Sequence, residues 1–299
     1  MRRNTGEEGD QIGLAHAFIP EGLIVLAYNR AAASEIRQRL SQLLGVVSRA
    51  VVVLTYHALA LRLTGRSLVQ SDTNESVFSE VLNEATELLT GVADIPGQES
   101  DALRDSLLSG YRYILVDEYQ DIDQEQYALI AALAGRSLGR EEQLSIMAVG
   151  DDDQNIYAFR QTSNEFIRRF SDDYNANQSF LVHNYRSTHN IITASNRLIS
   201  SNRDRLKIDH PIKIDRARIR TPKGGDWEQV DNITHGKVLI LQVADALYAQ
   251  AQAIVSEIQR KKKLDPDFSW QDVAILSRNH AQIEPLAVKQ RAKVTRFPG

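Results

Sequence analysis

Four short runs rich in Val, Ile and Leu punctuate the first half of this 299-residue chain: GLIVLAY (Gly22 to Tyr28), AVVVLTY (Ala50 to Tyr56), YILVDE (Tyr113 to Glu118) and LSIMAVGD (Leu144 to Asp151). Runs that are apolar without alternation need cover on both faces, and a parallel sheet with helices on each side provides it. Between the first two, AAASEIRQRLSQLL (Ala31 to Leu44) repeats apolar residues at helical spacing, with charges on the opposite face. Strand, helix, strand is the repeating unit of an α/β fold, and that fold class is the expectation. Residues 65 to 110, including VFSEVLNEATELL, are polar and helical in pattern, so they read as a helical insertion between two strands.

A second set of strands is expected at SFLVHNY (Ser179 to Tyr185), KVLILQV (Lys237 to Val243) and DVAILSR (Asp272 to Arg278), with a helix over Ala244 to Lys263 and a loop at TPKGGD, Thr221 to Asp226. The length suits two domains of about 150 residues each. The boundary falls between Phe170 and Ser179, which gives domains 1–175 and 176–299.

Composition removes whole classes of function. The apolar runs are far shorter than the roughly 20 residues that span a bilayer, so no membrane partner is expected. The chain has no Cys, which excludes disulfides, zinc-thiolate sites and a cysteine nucleophile. The first residues, MRRNTGEEGDQIG, lack the apolar core of a secretory signal, and a cytoplasmic protein is the expectation. Net charge is only −4, but Ser71 to Asp153 holds 19 acidic and 4 basic residues, whereas Arg160 to Arg220 holds 12 basic and 6 acidic. Such asymmetry fits metal-holding carboxylates in the first segment and a polyanion against the second; two solvated faces explain it equally well.

Three segments carry candidate chemistry. In YILVDEYQD (Tyr113 to Asp121) a buried strand runs directly into two adjacent carboxylates. The carboxyl ends of parallel strands line the ligand crevice of open α/β sheets, where one Asp can hold Mg²⁺ against phosphates and its neighbour can deprotonate water. The alternative is that Asp117 and Glu118 cap the following helix, Asp123 to Leu133. In VGDDDQNIYAFR (Val149 to Arg160), Gln154 precedes Tyr157, Phe159 and Arg160, aromatics beside a cation that suit single-stranded bases and their backbone, or else a core. In HNYRST (His183 to Thr188), Arg186 suits a phosphate and Tyr185 an adenine face, while Ser187 or Thr188 also suits a helix cap.

Together these segments, in this order and spacing, resemble superfamily 1 DNA helicases of the UvrD/Rep type. LAYNRAAASEIRQRL (Leu26 to Leu40) and TYHALALRL (Thr55 to Leu63) look like that family's first two DNA-contacting motifs, and the similarity extends into AILSRNHAQIEPL (Ala274 to Leu286). The resemblance implies two RecA-like domains that bind ATP and Mg²⁺ between them and step along DNA, usually 3′ to 5′, with single-stranded and duplex DNA as partners and DNA repair as a setting. By the same resemblance Asp117 and Glu118 would hold the metal and supply the catalytic base, and Gln120 and Gln154 would sense the γ-phosphate and relay its presence. Tyr185 would stack on adenine and Arg186 would reach the γ-phosphate. Tyr28, Asn29, Arg30, Thr55, His57, Tyr157, Phe159 and Arg160 would meet DNA.

A phosphate cradle of the form GxxxxGK[ST] does not occur in the 299 residues, and after Leu286 the sequence VKQRAKVTRFPG has no counterpart of the later helicase motifs. The expectation is an incomplete helicase chain, with a first RecA-like domain and part of a second, that is inactive by itself. The alternative is a non-hydrolysing module that binds single-stranded DNA or a protein partner, of which the sequence names none.

Overall fold

The computed structural model describes residues 20–67, 75–92, 100–139, 142–155, 164–214, 238–244, 246–264, 266–277, 279 and 281–284. The chain divides into two compact units, Met1–Ser179 and Phe180–Gly299.

The first unit is built on a four-stranded parallel sheet, β1 (Leu23–Ala27), β2 (Val52–Thr55), β3 (Tyr113–Val116) and β4 (Ser145–Ala148), in the order β2-β1-β3-β4. All five residues of β1 are buried, because the strand lies inside the sheet and both of its faces are covered. Alternation along the pleat sends Leu23, Val25 and Ala27 toward one layer, with Ala33, Val51 and Val53, and Ile24 and Leu26 toward the main core. Helix α1 (Arg30–Leu44) covers the first face through Ala32, Ala33, Ile36 and Leu40. Helices α2 (Tyr56–Thr64), α3 (Glu75–Thr90) and α5 (Gln124–Ala134) cover the second. Each fully buried Leu or Ile there, such as Leu26, Ile114, Leu129 and Ile130, contributes about 1.5 to 3 kcal/mol by leaving water. Between β2 and β3 the described residues form α2, α3 and the short α4 (Ser100–Leu107) and no strand.

Short polar side chains start the helices. Asn29 Oδ1 accepts from the backbone N–H of Ala32 (2.8 Å), Thr55 Oγ1 from Ala58 (3.3 Å) and Asp123 Oδ1 from Gln126 (2.8 Å). Helix α5 ends at Gly135 in the left-handed conformation (φ 71°), and a Cβ there would lie 2.7 Å from the Arg104 guanidinium, so both backbone and space call for glycine.

Helix α6 (Asn164–Tyr174) is fastened to α5 around one tyrosine. The Tyr127 ring stacks on Phe166 (centroids 4.4 Å apart) beneath the guanidinium groups of Arg136 and Arg169, at 5.1 and 5.4 Å from its centroid. Its hydroxyl donates to Asp173 (2.5 Å) and accepts from both arginines. Phe170 meets Tyr119 edge-on at 5.1 Å, which carries the same helix onto the turn that follows β3.

The second unit differs from the sequence expectation. Within SFLVHNY only His183–Asn184 is a strand, β5, paired in parallel with β6 (Lys213–Ile214); α7 (His189–Ile199) lies between them and α8 (Leu247–Leu264) follows. The described residues of KVLILQV and DVAILSR are not strands. A strand exists through its ladder and its cover, and the described residues of these runs have no ladder and little cover: Ile240 is 91% exposed and Leu276 93%, and Ala251 is the one buried residue described in the unit. Among the described residues no helix is long and apolar enough to cross a membrane.

Removing the α5 cap tests this construction. Asp123→Ala should lower unfolding free energy by about 1 kcal/mol, read as a lower urea midpoint with unchanged slope.

Candidate functional site

In a parallel sheet every strand ends on the same edge, so Thr55, the last residue of β2, lies there, and Tyr28, Asp117 and Val149 follow their strands there. The ladder extends slightly past the strands: Asp117 N–H donates to the Leu26 carbonyl (3.0 Å) and Val149 N–H to the Val116 carbonyl (2.8 Å). At Glu118 the chain turns sharply. Its φ of 52° and ψ of 46° are left-handed, a conformation that costs an L-residue about 1 to 2 kcal/mol, and the single 3₁₀ turn Tyr119–Asp121 follows. Glu118 therefore stands exposed at the sheet edge while Tyr119, Gln120 and Asp121 go inside. Neither Asp117 nor Glu118 caps α5; Asp123 does that, so the capping alternative for the two carboxylates falls.

Gln120, 1% exposed, joins the two acidic loops. Its Nε2 donates to Glu118 Oε2 (2.7 Å) and Asp121 Oδ2 (3.3 Å), and its Oε1 accepts from the Asp151 N–H (2.9 Å). Asp151 in turn accepts from Gln154 Nε2 (2.8 Å) and caps the turn Asp152–Gln154 through the Asp153 N–H (3.0 Å). One chain of hydrogen bonds thus runs Glu118, Gln120, Asp151, Gln154. The loops approach so closely that a Cβ on Gly150 would lie 2.8 Å from Gln120 Oε1 and 2.8 Å from Ile167 Cδ1, so a side chain at that position would have to push both aside.

Burial, and the neighbouring Glu118, hold the Asp117 and Asp121 carboxyls above the ordinary carboxylate range; Asp123 is raised by its own burial. Asp121 Oδ1 is buried with no hydrogen-bond partner among the described residues. A divalent cation at Asp117 and Glu118 would relieve this crowding of negative charge, and paired carboxylate oxygens are the hard ligands that Mg²⁺ takes, so the residues fit it. Asp151, Asp152 and Asp153 also bring carboxylate oxygens within 4.8 Å of one another, and Asp151 there is the cap of its own turn.

The other candidate residues are placed as follows. Asn29 and Thr55 use their side-chain oxygens as helix caps, Arg30 is the exposed first residue of α1, and Tyr28 is half-buried just past β1. His57 packs edge-on against Phe78 at 4.9 Å, and burial, against the pull of Asp123 and Glu125, lowers its pKa. Tyr157, Phe159 and Arg160 lie outside the described residues. In the second unit Tyr185 and Arg186 are exposed, and Asn184 Oδ1 accepts from the backbone N–H groups of Arg186 (2.9 Å) and Ser187 (2.7 Å), while Thr188 stands at the head of α7.

The sequence reading passed over Gly150, Asn155 and Asn164. Asn155 Nδ2 donates both to the Gln120 carbonyl (3.0 Å) and to Asn164 Oδ1 (2.9 Å). Neither asparagine sits in an apolar period; a polar residue at each end of the span that follows the aspartates was the available signal.

Comparison with known proteins now has a geometry to meet. Residues 68–175 match the family described as the UvrD/REP helicase N-terminal domain, and residues 180–293 the UvrD-like helicase C-terminal domain. The chain is 46% identical over 96 residues to DNA helicase II of Haemophilus influenzae, covering 32% of this chain and 12% of that protein. It is 33% identical over 172 residues to ATP-dependent DNA helicase UvrD1 of Mycobacterium tuberculosis, covering 57% of this chain and 20% of the relative. It is 34% identical over 173 residues to ATP-dependent DNA helicase PcrA of Staphylococcus aureus, covering 58% and 20%. The chain therefore spans no more than a fifth of the length of these curated relatives.

Two measurements test the site as drawn. Because Glu118 is left-handed, Glu118→Val should be about 2 kcal/mol less stable than Glu118→Gly, read from paired urea unfolding curves. The Asp117 carboxyl is raised above its ordinary 3.8, so the folded state holds its proton more tightly than the unfolded chain. Its favourable contribution is complete below pH 3.8 and is lost as pH rises through the raised value. Asp117→Asn should therefore be more stable than the parent at neutral pH, with the gap closing on acidification, followed by unfolding at a series of pH values.

Proposed function

The chain belongs to the family of UvrD/Rep-type helicases, and from that premise we propose that it is the ATP-handling and single-strand-handling part of a DNA helicase motor that moves 3′ to 5′ in cytoplasmic DNA repair. The observation that carries this reading is the hydrogen-bonded line from Glu118 through Gln120 and Asp151 to Gln154 at the carboxyl edge of a parallel sheet. Asp117 would hold Mg²⁺ with Glu118 beside it, and the ion would neutralise charge on the nucleotide phosphates. Glu118, projecting from the edge, is the base that takes a proton from water. Gln120 holds that carboxylate in place and ties it to the Asp151 turn. By the family resemblance Arg186 would offer a planar cation to a phosphate and Tyr185 a face to an adenine. Tyr28, Asn29, Arg30, Thr55, His57, Tyr157, Phe159 and Arg160 serve the single strand.

A second reading, a DNA-binding module that does not hydrolyse ATP, draws on one fact: no GxxxxGK[ST] cradle occurs in these 299 residues. Carboxylates without a cradle cannot position a γ-phosphate, so the chain as given should turn over ATP negligibly. It should still bind single-stranded DNA, with an affinity that falls as salt rises, and alanine at Tyr157 or Phe159 should each cost about 1 to 3 kcal/mol of it. Fluorescence anisotropy across a salt series reads both; salt-independent or absent binding sinks the proposal. In a polypeptide extended with a GxxxxGK[ST] loop and the later motifs, Glu118→Gln should lower hydrolysis by about 10² to 10⁴ and keep nucleotide binding. An extended polypeptide whose turnover ignores that change is the binding module of the second reading.

A further inference from the structure

We propose that Asn155 and Asn164 are positioning residues that set where Gln120 stands beside Glu118. This rests on reading Glu118 and Gln120 as parts of the nucleotide site.

Gln120 sits in a 3₁₀ turn between a strand and a helix, with its side chain shared by two carboxylates. A backbone in so short a turn has few bonds of its own, and its direction is set from outside. On one side Tyr119 N–H donates to the Val149 carbonyl (3.0 Å) and Asp151 N–H to Gln120 Oε1 (2.9 Å). The main-chain carbonyl of Gln120 points elsewhere, and Asn155 Nδ2 meets it at 3.0 Å. That same amide nitrogen uses a second hydrogen on Asn164 Oδ1, 2.9 Å away, so the direction of its donation to Gln120 is fixed by where Asn164 lies. Asn164 is the first residue of α6, a helix anchored independently through Tyr127, Asp173 and Phe170, and its own Nδ2 reaches the Asp152 carbonyl at 3.4 Å.

The arrangement is a bracket. Its fixed arm is α6, its moving arm is Asn155, and it holds the Gln120 carbonyl against the Asp151 turn. An asparagine at 155 suits this place because its short, neutral NH₂ group donates in two directions to two oxygens without adding charge, whereas position 164 must offer an acceptor. This asymmetry separates positioning from plain stability. Aspartate at 164 keeps the acceptor and loses only the long bond to Asp152; aspartate at 155 loses both donations and sets a carboxylate against a carbonyl oxygen. Both changes add one negative charge among the same acidic residues, so a general loss of fold by repulsion would strike both alike.

The readout is the Gln120 side-chain amide in the chain labelled with ¹⁵N-glutamine, assigned by its loss in Gln120→Glu. In the parent its two protons face Glu118 and Asp121 and should resonate away from those of a solvent-exposed glutamine. Asn155→Asp and Asn164→Ala should return them toward the exposed positions, and Asn164→Asp should leave them near the parent's. Parent-like Gln120 resonances in folded Asn155→Asp, or equal displacement in Asn155→Asp and Asn164→Asp, would overturn the bracket. Adding Mn²⁺ as a stand-in for Mg²⁺ separates this from the reading beneath it: selective broadening of the parent's Gln120 signal that is lost in Asp117→Asn supports a metal at Asp117 and Glu118 rather than at the Asp151 turn. Its absence dismisses the metal and leaves the bracket to be decided by the resonances alone.

Discussion

β3 is laddered to β1 on one side and to β4 on the other, and both pairings are parallel. That constraint orders the rest of the first unit. Strands that run the same way must be connected by crossings over the faces of the sheet, which is why α1 covers Leu23, Val25 and Ala27 while α2, α3 and α5 cover Ile24 and Leu26. It also delivers every strand's end to one edge, so residues far apart in sequence, Asp117 and Asp151 among them, become neighbours without any local device. The cost is concentrated at that edge, where the chain turns at once into Glu118 in a left-handed conformation and carboxylates crowd together.

Charge crowded there is organised by amides. Gln120 donates to acids on its own turn and accepts from the backbone of the next loop, a division of labour that neither a carboxylate nor an ammonium can perform. Asparagines carry the same principle outward to α6, whose attachment around Tyr127 is aromatic and ionic and therefore independent of the site. A rigid helix and a strained turn are joined by neutral groups, so the junction adds no charge to a region that already has too much.

The strands and helices of the first unit were legible because burial on two faces leaves continuous apolar runs and covering helices leave a 3.6-residue period: β1 is the GLIVLAY run and α1 the AAASEIRQRLSQLL pattern. The carboxylate pair was legible for the same reason, since it ends a strand. Its surroundings were not. Left-handed Glu118, the close approach at Gly150 and the asparagines at 155 and 164 depend on contacts across the fold, and a sequence period reports only which way a residue faces. In the second unit the period misled. KVLILQV and DVAILSR have strand composition, but composition supplies neither partner nor cover, and of their described residues only Val273 and Ile275 are even half-buried.

The close approach at Gly150 has a consequence for how such a sequence can change over time. A methyl group there would strike the side chains of both Gln120 and Ile167, which come from two other elements. A single substitution that introduces a side chain at 150 must therefore displace the ends of those two side chains, and it disturbs the site least where they have already shrunk or turned away. Three positions spread over almost fifty residues are therefore coupled by one close approach, and a side chain gained at 150 is best accommodated by changes at 120 and 167.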